Sequence, residues 1–582
     1  MEFARFVDGF VRFNDFRLKI CVELMTFLVM KEYNTTVLVV GAGPAGLIAG
    51  HLLEQSGIST VIAERHQGRL STPKAHAINS RTLEICHGVG LPMEKIHAKA
   101  VNREDGRLVR FMTSITGEEL GAIAHERQDE GLRALTAWPL INISQPDFED
   151  VVEHALAGAA HVDLRRQLEW RGYRETPEGV ISNLHDHTTD EDITITSKYL
   201  IAADGARSSV REASGIKLEV LVPNLAEFVA IHFEANAREL VGEYPAVLYF
   251  IFGDAIGSVL IAYDIDKNWV LMHLYDPSSM SVADFTEDAC KQLITAAFGK
   301  PIEVKIKGVK GWKSCAKMAN AFQSGRVFLV GDSAHQYPPT GGLGLNCGVG
   351  DIHNLVWKIA AVERGWAGSG LLGSFNAERP PVAHTNMVQS VQNEMKFALV
   401  YQALGQDIGK PINKAELDRR LNDPSCRAAI TAAIAAQEEG FDSLRLQIGY
   451  IYGEQQNVYQ GTPINVYVPK GIVGERLPHA ELTGGGSTLD LVHHDGFVIF
   501  AAKESAHWHG LAEVCKIPLK ILVEGRDFTL KSGNWAESLD LGKDGAVLIR
   551  PDDHILYRAE TADEEQATAM LGALRDFLDL PN

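Results

Sequence analysis

Cysteine is scarce in this sequence, which has seven in 582 residues and no two closer than 25 positions. A spacing this wide excludes a CxxC redox pair, a zinc knuckle and a disulfide scaffold. No metal site is therefore predicted. Reduced thiols are the expected state, and they favour a cytoplasmic location.

Long apolar runs and an excess of positive charge are also missing. No stretch reaches the roughly 18 apolar residues of a membrane-spanning helix, and the apolar run 20–30 is interrupted by Glu23. The 55 lysines and arginines are outnumbered by 75 aspartates and glutamates, a net charge of −20. Non-specific nucleic-acid binding needs a cationic surface. We therefore expect no nucleic-acid partner and no stable membrane insertion. Residues 1–33 are predicted to be a dispensable extension, and the alternative is a functional amphipathic arm.

A dinucleotide-binding fingerprint is present near the N-terminus. The pattern of a buried strand at 36–40 leads into a turn, a helix and a second strand at 60–63, and the turn reads Gly41-Ala42-Gly43-Pro44-Ala45-Gly46. Such a turn lets the backbone approach a diphosphate, which then lies at the positive end of the helix. Glu64 follows the second strand, where it can accept hydrogen bonds from an adenosine ribose. The fingerprint does not separate NAD from FAD, because both contain adenosine diphosphate.

Two later segments share the pattern of a buried strand that ends at an aspartate and a glycine. The strand at 199–203 leads into Asp204-Gly205, and the strand at 326–330 leads into Gly331-Asp332. A glycine-rich stretch at 338–346 follows, and an apolar-periodic helix is predicted from Gly348. A carboxylate in such a position reaches a chain of hydroxyl groups, and the backbone N–H groups of a glycine-rich turn favour a negatively charged ligand.

On these motifs, in this order, the chain resembles the FAD-dependent aromatic hydroxylases, the single-component flavoprotein monooxygenases of the p-hydroxybenzoate hydroxylase and phenol hydroxylase family. The resemblance covers about residues 34–400, and the segment 72–84 is similar to the phenol and chlorophenol hydroxylase branch. It implies FAD as cofactor, NADPH or NADH and O2 as co-substrates, and hydroxylation through a flavin C4a-hydroperoxide.

The resemblance also implies which residues contact FAD. Asp332 is expected to hold the ribityl chain, and the backbone N–H groups of Leu345 and Asn346 are expected to face the N1–C2 edge of the flavin. Gln145 matches a residue that contacts the flavin nucleotide. The full set of predicted cofactor contacts is Gly41, Gly43, Ala45, Gly46, Glu64, Arg65, Arg81, Gln145, Asp204, Arg207, Asp332, Pro339, Gly344, Leu345 and Asn346.

The nicotinamide co-substrate has no fingerprint of its own in the sequence. In the family, the Asp204-Gly205 segment serves both cofactors, so Arg207 and Arg211 are candidates to bind the phosphate of NADPH. The alternative for both arginines is a solvated helix face. The lack of a second GxGxxG fits a co-substrate that binds transiently.

His76 is predicted to be the catalytic base. The resemblance places it where the family has the group that accepts the phenolic proton of the substrate, and the chlorophenol branch has histidine there. A phenolate ring is more electron-rich than a phenol ring, and a histidine that titrates near 6.5 takes this proton at neutral pH. The alternative is a loop histidine with no catalytic part.

Four residues in strand patterns are further candidates to orient a phenol. They are Tyr249 and Tyr263, which we predict as substrate contacts, together with His232 and His273. The alternative for each is an ordinary position in the core or on the surface of a sheet.

The fold class implied is α/β, with a Rossmann-type FAD-binding domain interleaved with a mainly antiparallel β-sheet substrate domain, plus a C-terminal thioredoxin-like α/β domain. The predicted boundaries are 34–90 with 137–215 and 315–400 for the FAD-binding domain, 91–136 with 216–314 for the substrate-binding domain, 401–460 for a helical segment and 461–582 for the thioredoxin-like domain. The last contains a single cysteine, Cys515, and no CxxC. It therefore cannot exchange dithiols, and a structural or homodimer-forming role is expected.

The sequence thus predicts an FAD-dependent monooxygenase of secondary metabolism that hydroxylates a small phenolic or polyketide-type aromatic. Two alternatives stay open at this point. One is a Baeyer–Villiger or epoxidising flavin monooxygenase, and the other is a flavin-binding redox protein that performs no oxygenation.

Overall fold

The computed structural model describes residues 31–69, 75–127, 130–408, 410 and 413–581. The predicted N-terminal extension up to residue 30, and Thr72, Pro73 and Lys74 of the segment that precedes His76, lie outside the described residues.

The described strands are numbered in chain order. They are β1 Lys31–Val40, β2 Thr60–Glu64, β3 Ala77–Ile78, β4 Leu108–Met112, β5 Glu119–Ala124, β6 Ile141–Asn142, β7 Val162–Arg166, β8 Leu168–Glu175, β9 Val180–Asp186, β10 Glu191–Ala202, β11 Leu218–Glu234, β12 Leu248–Ile251, β13 Ser258–Asp264, β14 Asn268–Leu274, β15 Lys305–Ala319, β16 Gln323–Ser324, β17 Val327–Leu329, β18 His335–Gln336, β19 Phe497–Ala501, β20 Leu519–Val523, β21 Ala546–Ile549 and β22 Ile555–Ala559.

The described α-helices follow the same numbering. They are α1 Pro44–Gln55, α2 Ser80–Gly88, α3 Met93–Lys99, α4 Arg103–Gly106, α5 Gln145–Ala155, α6 Ser209–Ala213, α7 Arg238–Val241, α8 Glu287–Phe298, α9 Leu343–Glu363, α10 Gly373–Ala403, α11 Lys414–Leu421, α12 Pro424–Ala435, α13 Leu444–Ile448, α14 Ala506–Cys515, α15 Trp535–Ser538 and α16 Glu564–Phe577. None of the helices in the described part of the chain is long and apolar enough to cross a membrane.

The first large sheet contains the predicted dinucleotide fold. Its strand order is β16-β17-β10-β1-β2-β7, with β9 and β8 added beside β10. Strand β1 pairs in parallel with β10 and β2, and β10 pairs in parallel with β17. All four residues of the run 37–40 are buried, as expected for a parallel strand covered on both faces. The carboxyl ends of β1, β10 and β17 therefore lie side by side, and each leads into one of the three motifs.

The second large sheet has the order β18-β15-β11-β14-β13-β12-β4-β5. Its pairs are antiparallel except for β12 with β4. One face packs on α8 through Cys290, Ile294 and Phe298. Side chains alternate across each strand, so the strand residues that do not face α8 point to the opposite side of the sheet. The cavity described below lies on that side.

The C-terminal domain is a four-stranded mixed sheet of order β20-β19-β21-β22 with α14 and α16 packed on it. It shares its core with the FAD-binding fold through Trp357 of α9. The Trp357 ring lies 5.8 Å from that of Phe497 and 6.1 Å from that of Phe577, centroid to centroid. The thioredoxin-like domain is therefore docked on α9 by an apolar contact.

Helix α9 begins five residues before the predicted start, at Leu343 instead of Gly348. Gly342 precedes the helix in the left-handed region, at φ 62°, which glycine adopts without strain. Apolar periodicity did not reveal this first turn, because it contains glycine and asparagine among its apolar residues. As a consequence Gly344, Leu345 and Asn346 are helical, and their backbone N–H groups belong to a helix N-terminus.

We expect the Trp357→Ala substitution to lower the free energy of unfolding by about 3–5 kcal/mol, since Trp357 is 2% exposed and fills the interdomain core. The measurement is urea unfolding of the full chain. The Val514→Ala substitution, at a side chain that is 56% exposed, is the control and should change the free energy of unfolding by less than about 0.5 kcal/mol. Equal effects of the two substitutions would contradict the shared core.

Candidate active site

A cavity of about 920 Å³ lies between the carboxyl edge of the first sheet and the face of the second. Every turn that the sequence singled out contributes to its wall. Predicted cofactor contacts that line it are Gly41, Gly43, Ala45, Glu64, Arg65, Gln145, Asp204, Arg207, Asp332, Pro339, Gly344 and Leu345. The wall on the side of the second sheet is apolar and aromatic.

The nucleotide end of the cavity is formed by the glycine-rich turn after β1. Gly43 is the N-cap of α1 and supplies no capping side chain, and a Cβ at this position would have no heavy atom within 4 Å. A Cβ at Gly41, which has φ 103°, would overlap the carbonyl oxygen of Ala203, and one at Gly46 would overlap that of Gly41. Two glycines are thus needed for the turn itself, and Gly43 keeps space open in front of the helix.

Glu64 at the end of β2 is held by the same turn. The backbone N–H of Ala42 donates to its Oε2 at 3.0 Å, and that of His66 donates to its Oε1 at 2.8 Å. The carboxylate is therefore fixed at the cavity wall, where its remaining acceptor sites are available to a ribose.

Asp204 and Asp332 end β10 and β17 and differ in exposure. Asp332 is exposed at the cavity, whereas Asp204 is half-buried, and its buried Oδ1 has no hydrogen-bond partner among the described residues. Burial raises the pKa of the Asp204 carboxyl. A buried acceptor without a partner is costly unless a ligand donates to it.

Arg211 joins these two turns and does not line the cavity. Its guanidinium donates to the carbonyl oxygen of Ser333 at 2.9 Å and to that of Ala206 at 3.3 Å, and it is 4% exposed. Arg211 is therefore neither a solvated residue nor placed to bind a phosphate. Arg207, by contrast, is exposed at the rim of the cavity and stays a candidate for that contact.

The N-terminus of α9 forms the opposite end of this half of the cavity. Its N-cap, Gly342, supplies no side chain, so the first backbone N–H groups have no partner from a cap. The Asn346 side chain faces away from the cavity. Its Oδ1 accepts from the backbone N–H of Asn79 at 3.0 Å and from the Thr82 hydroxyl at 2.8 Å, and its Nδ2 donates to the Ala77 carbonyl oxygen at 2.9 Å. This amide therefore fixes α9 against the segment that follows His76.

His76 lies in the cavity wall and is oriented by Asn142. Its Nδ1 is 2.8 Å from Asn142 Oδ1, and Asn142 Nδ2 is 3.3 Å from Nδ1 of His125. An amide oxygen only accepts, so His76 Nδ1 donates and Nε2 keeps its lone pair. Desolvation lowers the pKa of His76 below its ordinary value, and burial next to His76 lowers that of His125 to about 3. His76 is thus neutral at pH 7, with Nε2 as a proton acceptor.

Several residues near His76 were missed by the sequence analysis. Asn142 lies in the strand just before Gln145, and His125 and Glu126 come from the loop after β5; His125 and Glu126 line the cavity. Burial, together with the charge of Asp442, raises the pKa of Glu126 to about 8. These pairings join residues that are distant in sequence, so local patterns did not reveal them. The only local signal was that Asn142 belongs to the segment that resembles a flavin-contacting segment of the family.

Aromatic rings line the cavity on the side of the second sheet. Phe250 of β12 lies 4.7 Å from Phe397 and 6.0 Å from Phe441, centroid to centroid, and Tyr401 also lines the wall. Tyr263 lies 6.2 Å from the His76 ring in an edge-to-face arrangement. Flat apolar walls around one base suit a planar aromatic ring.

Four predicted site residues are absent from the cavity wall, namely Gly46, Asn346, Tyr249 and Arg81. Gly46 is needed for the turn and Asn346 holds α9, as described above, whereas Tyr249 and Arg81 have partners elsewhere. Tyr249 is fully buried, and its hydroxyl donates to the Tyr244 carbonyl oxygen at 3.0 Å, because it points to the face of β12 opposite Leu248 and Phe250. Arg81 is 3% exposed, and its guanidinium donates to Asp553 of the C-terminal domain at 2.9 Å. His232 and His273, the other two candidates, are likewise absent from the cavity wall and bond to Asn268 and Ser258.

The donor set of the cavity fits FAD. Two helix N-termini without capping side chains face it, suited to a diphosphate and to the electron-rich edge of a flavin. The open space at Gly43 and the unpartnered Oδ1 of Asp204 are the features expected where a ligand completes the site.

Comparison with known protein families gives two matches. The family model for the FAD binding domain matches residues 34–390, and that for the C-terminal domain of aromatic-ring hydroxylases matches residues 470–581. A relative from Cupriavidus pinatubonensis, 2,4-dichlorophenol 6-monooxygenase, is 29% identical over 94% of this chain and 96% of its own length.

Two solved structures are similar along nearly the whole chain. The flavin-dependent monooxygenase PieE, in complex with FAD and substrate, is 31% identical with a TM-score of 0.88 over 94% of this chain and 100% of its own. Aklavinone-11 hydroxylase, in a ternary complex with FAD and aklavinone, is 26% identical with a TM-score of 0.78 over 94% of this chain and 99% of its own.

The Gly43→Ala substitution should raise the dissociation constant for FAD at least tenfold, because the added methyl group occupies the space that the diphosphate needs. Gly43 has φ −77°, which alanine adopts without strain, so the fold should be kept. The measurement is flavin fluorescence on dilution of the holoenzyme. Gly572→Ala, where an added Cβ also meets nothing within 4 Å, is the matched control. Unchanged FAD affinity in the Gly43 variant would contradict the placement of the diphosphate.

Proposed function

This chain belongs to the FAD-dependent aromatic-ring hydroxylases, and we propose that it hydroxylates a phenolic or polyketide-type aromatic ring that binds between His76 and the aromatic wall of the cavity. It is an FAD-dependent monooxygenase that uses O2 and a reduced nicotinamide co-substrate. The observation that supports the proposed substrate class is the orientation of His76, whose Nε2 is a proton acceptor in a wall shared with Tyr263 and Phe250.

Deprotonation of the substrate is the step assigned to His76. A phenol with a pKa near 10 is only about 0.1% ionised at pH 7, which corresponds to about 4 kcal/mol. Reduced FAD, when bound, supplies the activation of O2 and the electrophilic oxygen that reacts with an electron-rich ring. His76 Nε2 takes the phenolic proton, and Asn142 holds the ring of His76 in the orientation that makes this possible.

The residues assigned to FAD and NADPH are also part of this proposal. Glu64 would hold the adenosine ribose and Asp332 the ribityl chain, while the N-terminus of α9 at Leu345 would stabilise negative charge on the flavin edge. Arg207, exposed at the rim, would contact the phosphate of NADPH. NADPH and NADH are both compatible with this site.

A homodimer and a cytoplasmic location remain predictions, the second resting on the sparse cysteines.

We expect the His76→Gln variant to form at least tenfold less product per NADPH oxidised, since general-base catalysis contributes factors of about 10²–10⁴. NADPH oxidation should continue, with hydrogen peroxide released in place of product. Product is measured by mass spectrometry with 2,4-dichlorophenol and with aklavinone, and peroxide by a coupled assay. The His232→Gln variant, at a histidine that does not line the cavity, is the control. Undiminished product formation in His76→Gln would rule out this base.

The pH dependence provides a second test. Because desolvation lowers the pKa of His76, this group is neutral above that value, and activity should be lost only as the pH falls through it. The acidic limb of kcat/KM should therefore lie below pH 6.5. The Asn142→Asp variant places a carboxylate beside His76, which raises the pKa of the imidazole and should move the limb to higher pH by about one unit or more. A limb that stays in place would show that His76 is not the titrating group.

A further inference from the structure

We propose that the turn between β21 and β22, residues 550–554 of the C-terminal domain, positions two helices beside the active site. One is α2, which follows the cavity-lining segment of His76, and the other is α9, whose first turn lines the cavity. The turn is buried: Arg550, Asp552, Asp553 and His554 are each 7% exposed or less. The proposal requires that the site binds FAD and does not depend on the substrate assigned above.

The first element held by the turn is α2, which directly follows His76 and β3. Arg81 in the first turn of α2 donates to Asp553 at 2.9 Å and to the carbonyl oxygen of Asp552 at 2.9 Å. Glu84, one turn further on, pairs with Arg476 at 3.3 Å. Both charged groups of α2 therefore meet partners that belong to the C-terminal part of the chain.

The second element is α9. Asn354 of α9 donates to Asp552 at 3.3 Å, and Lys358 pairs with Glu378 of α10 at 2.7 Å. Arg550 of the turn forms ion pairs with Glu378 at 2.6 Å and with Asp552 at 2.6 Å, and thereby connects the turn to α10. The same five-residue turn thus contacts α2, α9 and α10.

The N-terminal ends of α2 and α9 meet beside the cavity. The Asn346 side chain in the first turn of α9 bonds to Asn79 and Thr82 of α2, as well as to Ala77 next to His76. The helix N-terminus at the flavin edge and the segment of the base are therefore linked to each other and, through α2 and α9, to the 550–554 turn. A shift of the turn would move both.

The composition of this charged cluster indicates that it orients the helices it contacts more than it stabilises the fold. Its ion pairs match four cations with four carboxylates, namely Arg81, Lys358, Arg476 and Arg550 with Glu84, Glu378, Asp552 and Asp553. Buried ion pairs gain little net stability over an apolar core of the same volume, yet they fix the relative orientation of their partners. Domain docking already has an apolar core around Trp357. The charged cluster adds directional bonds to the elements of the flavin site.

The test compares loss of the pair with loss of one partner. In the Asp553→Asn variant the charge of Arg81 loses its main partner, and we expect the FAD dissociation constant of the full-length holoenzyme to rise at least tenfold. In the Arg81→Met/Asp553→Asn double variant both charges are removed, and asparagine tolerates the left-handed backbone at position 553, which has φ 65°. The melting temperature should therefore rise above that of Asp553→Asn and approach the wild-type value. Its FAD dissociation constant should stay raised, because the directional bonds are still missing. The Glu560→Gln variant removes an exposed ion pair with Arg558 inside the same domain and should match the wild type.

Hydrogen–deuterium exchange of residues 77–88 provides a readout that does not depend on activity. We expect faster exchange there in the double variant than in the wild type and the Glu560→Gln control. If Asp553→Asn does not fold, the double variant decides the question alone. Wild-type FAD affinity and wild-type exchange at 77–88 in that variant would overturn the proposal and leave the turn with a stabilising role only. If a variant loses FAD affinity but keeps its substrate preference, the turn acts on FAD binding, and the result does not count against the proposed phenol hydroxylation.

Discussion

The structure depends on one constraint, which is that two helix N-termini without capping side chains face the same cavity. Glycine occupies the N-cap of both α1 and α9, so the first backbone N–H groups of each helix lack the partner that serine, threonine or aspartate would supply. These donors favour a negatively charged ligand. The parallel strands that precede the motifs bring the two termini to one edge of the sheet, and in the proposed binding mode the diphosphate and the flavin of one FAD molecule would each meet one of them.

Much of this arrangement was accessible from the sequence because its signals are local. The run 37–40, the glycines at 41, 43 and 46, and the aspartates at 204 and 332 each belong to a strand followed directly by a turn. Parallel pairing then places the turns together. The start of α9 was predicted too late because its first turn has no apolar period, although it contains the residues that line the cavity.

The errors and omissions concern contacts between residues far apart in sequence. Tyr249 was misplaced because the pattern of a strand does not tell which of its two faces meets the cavity. Arg81 was predicted as a cofactor contact, yet its partner Asp553 lies 472 positions further along the chain. Asn142 was not singled out because its role depends on hydrogen bonds to His76 and His125, which are not its neighbours in sequence. Spacing along the chain contains no information on such pairs.

The amide of Asn142 has a consequence for the path of the proton. A carboxylate in its place would accept a proton from the imidazole, but a neutral amide oxygen does not become protonated at neutral pH. The chain from His76 to His125 therefore orients the base without conducting protons away from it. A proton taken up at Nε2 has to leave from Nε2. In the proposed mechanism each turnover would therefore end only when that nitrogen meets water or the departing product, and the opening of the cavity would govern how soon His76 accepts another proton.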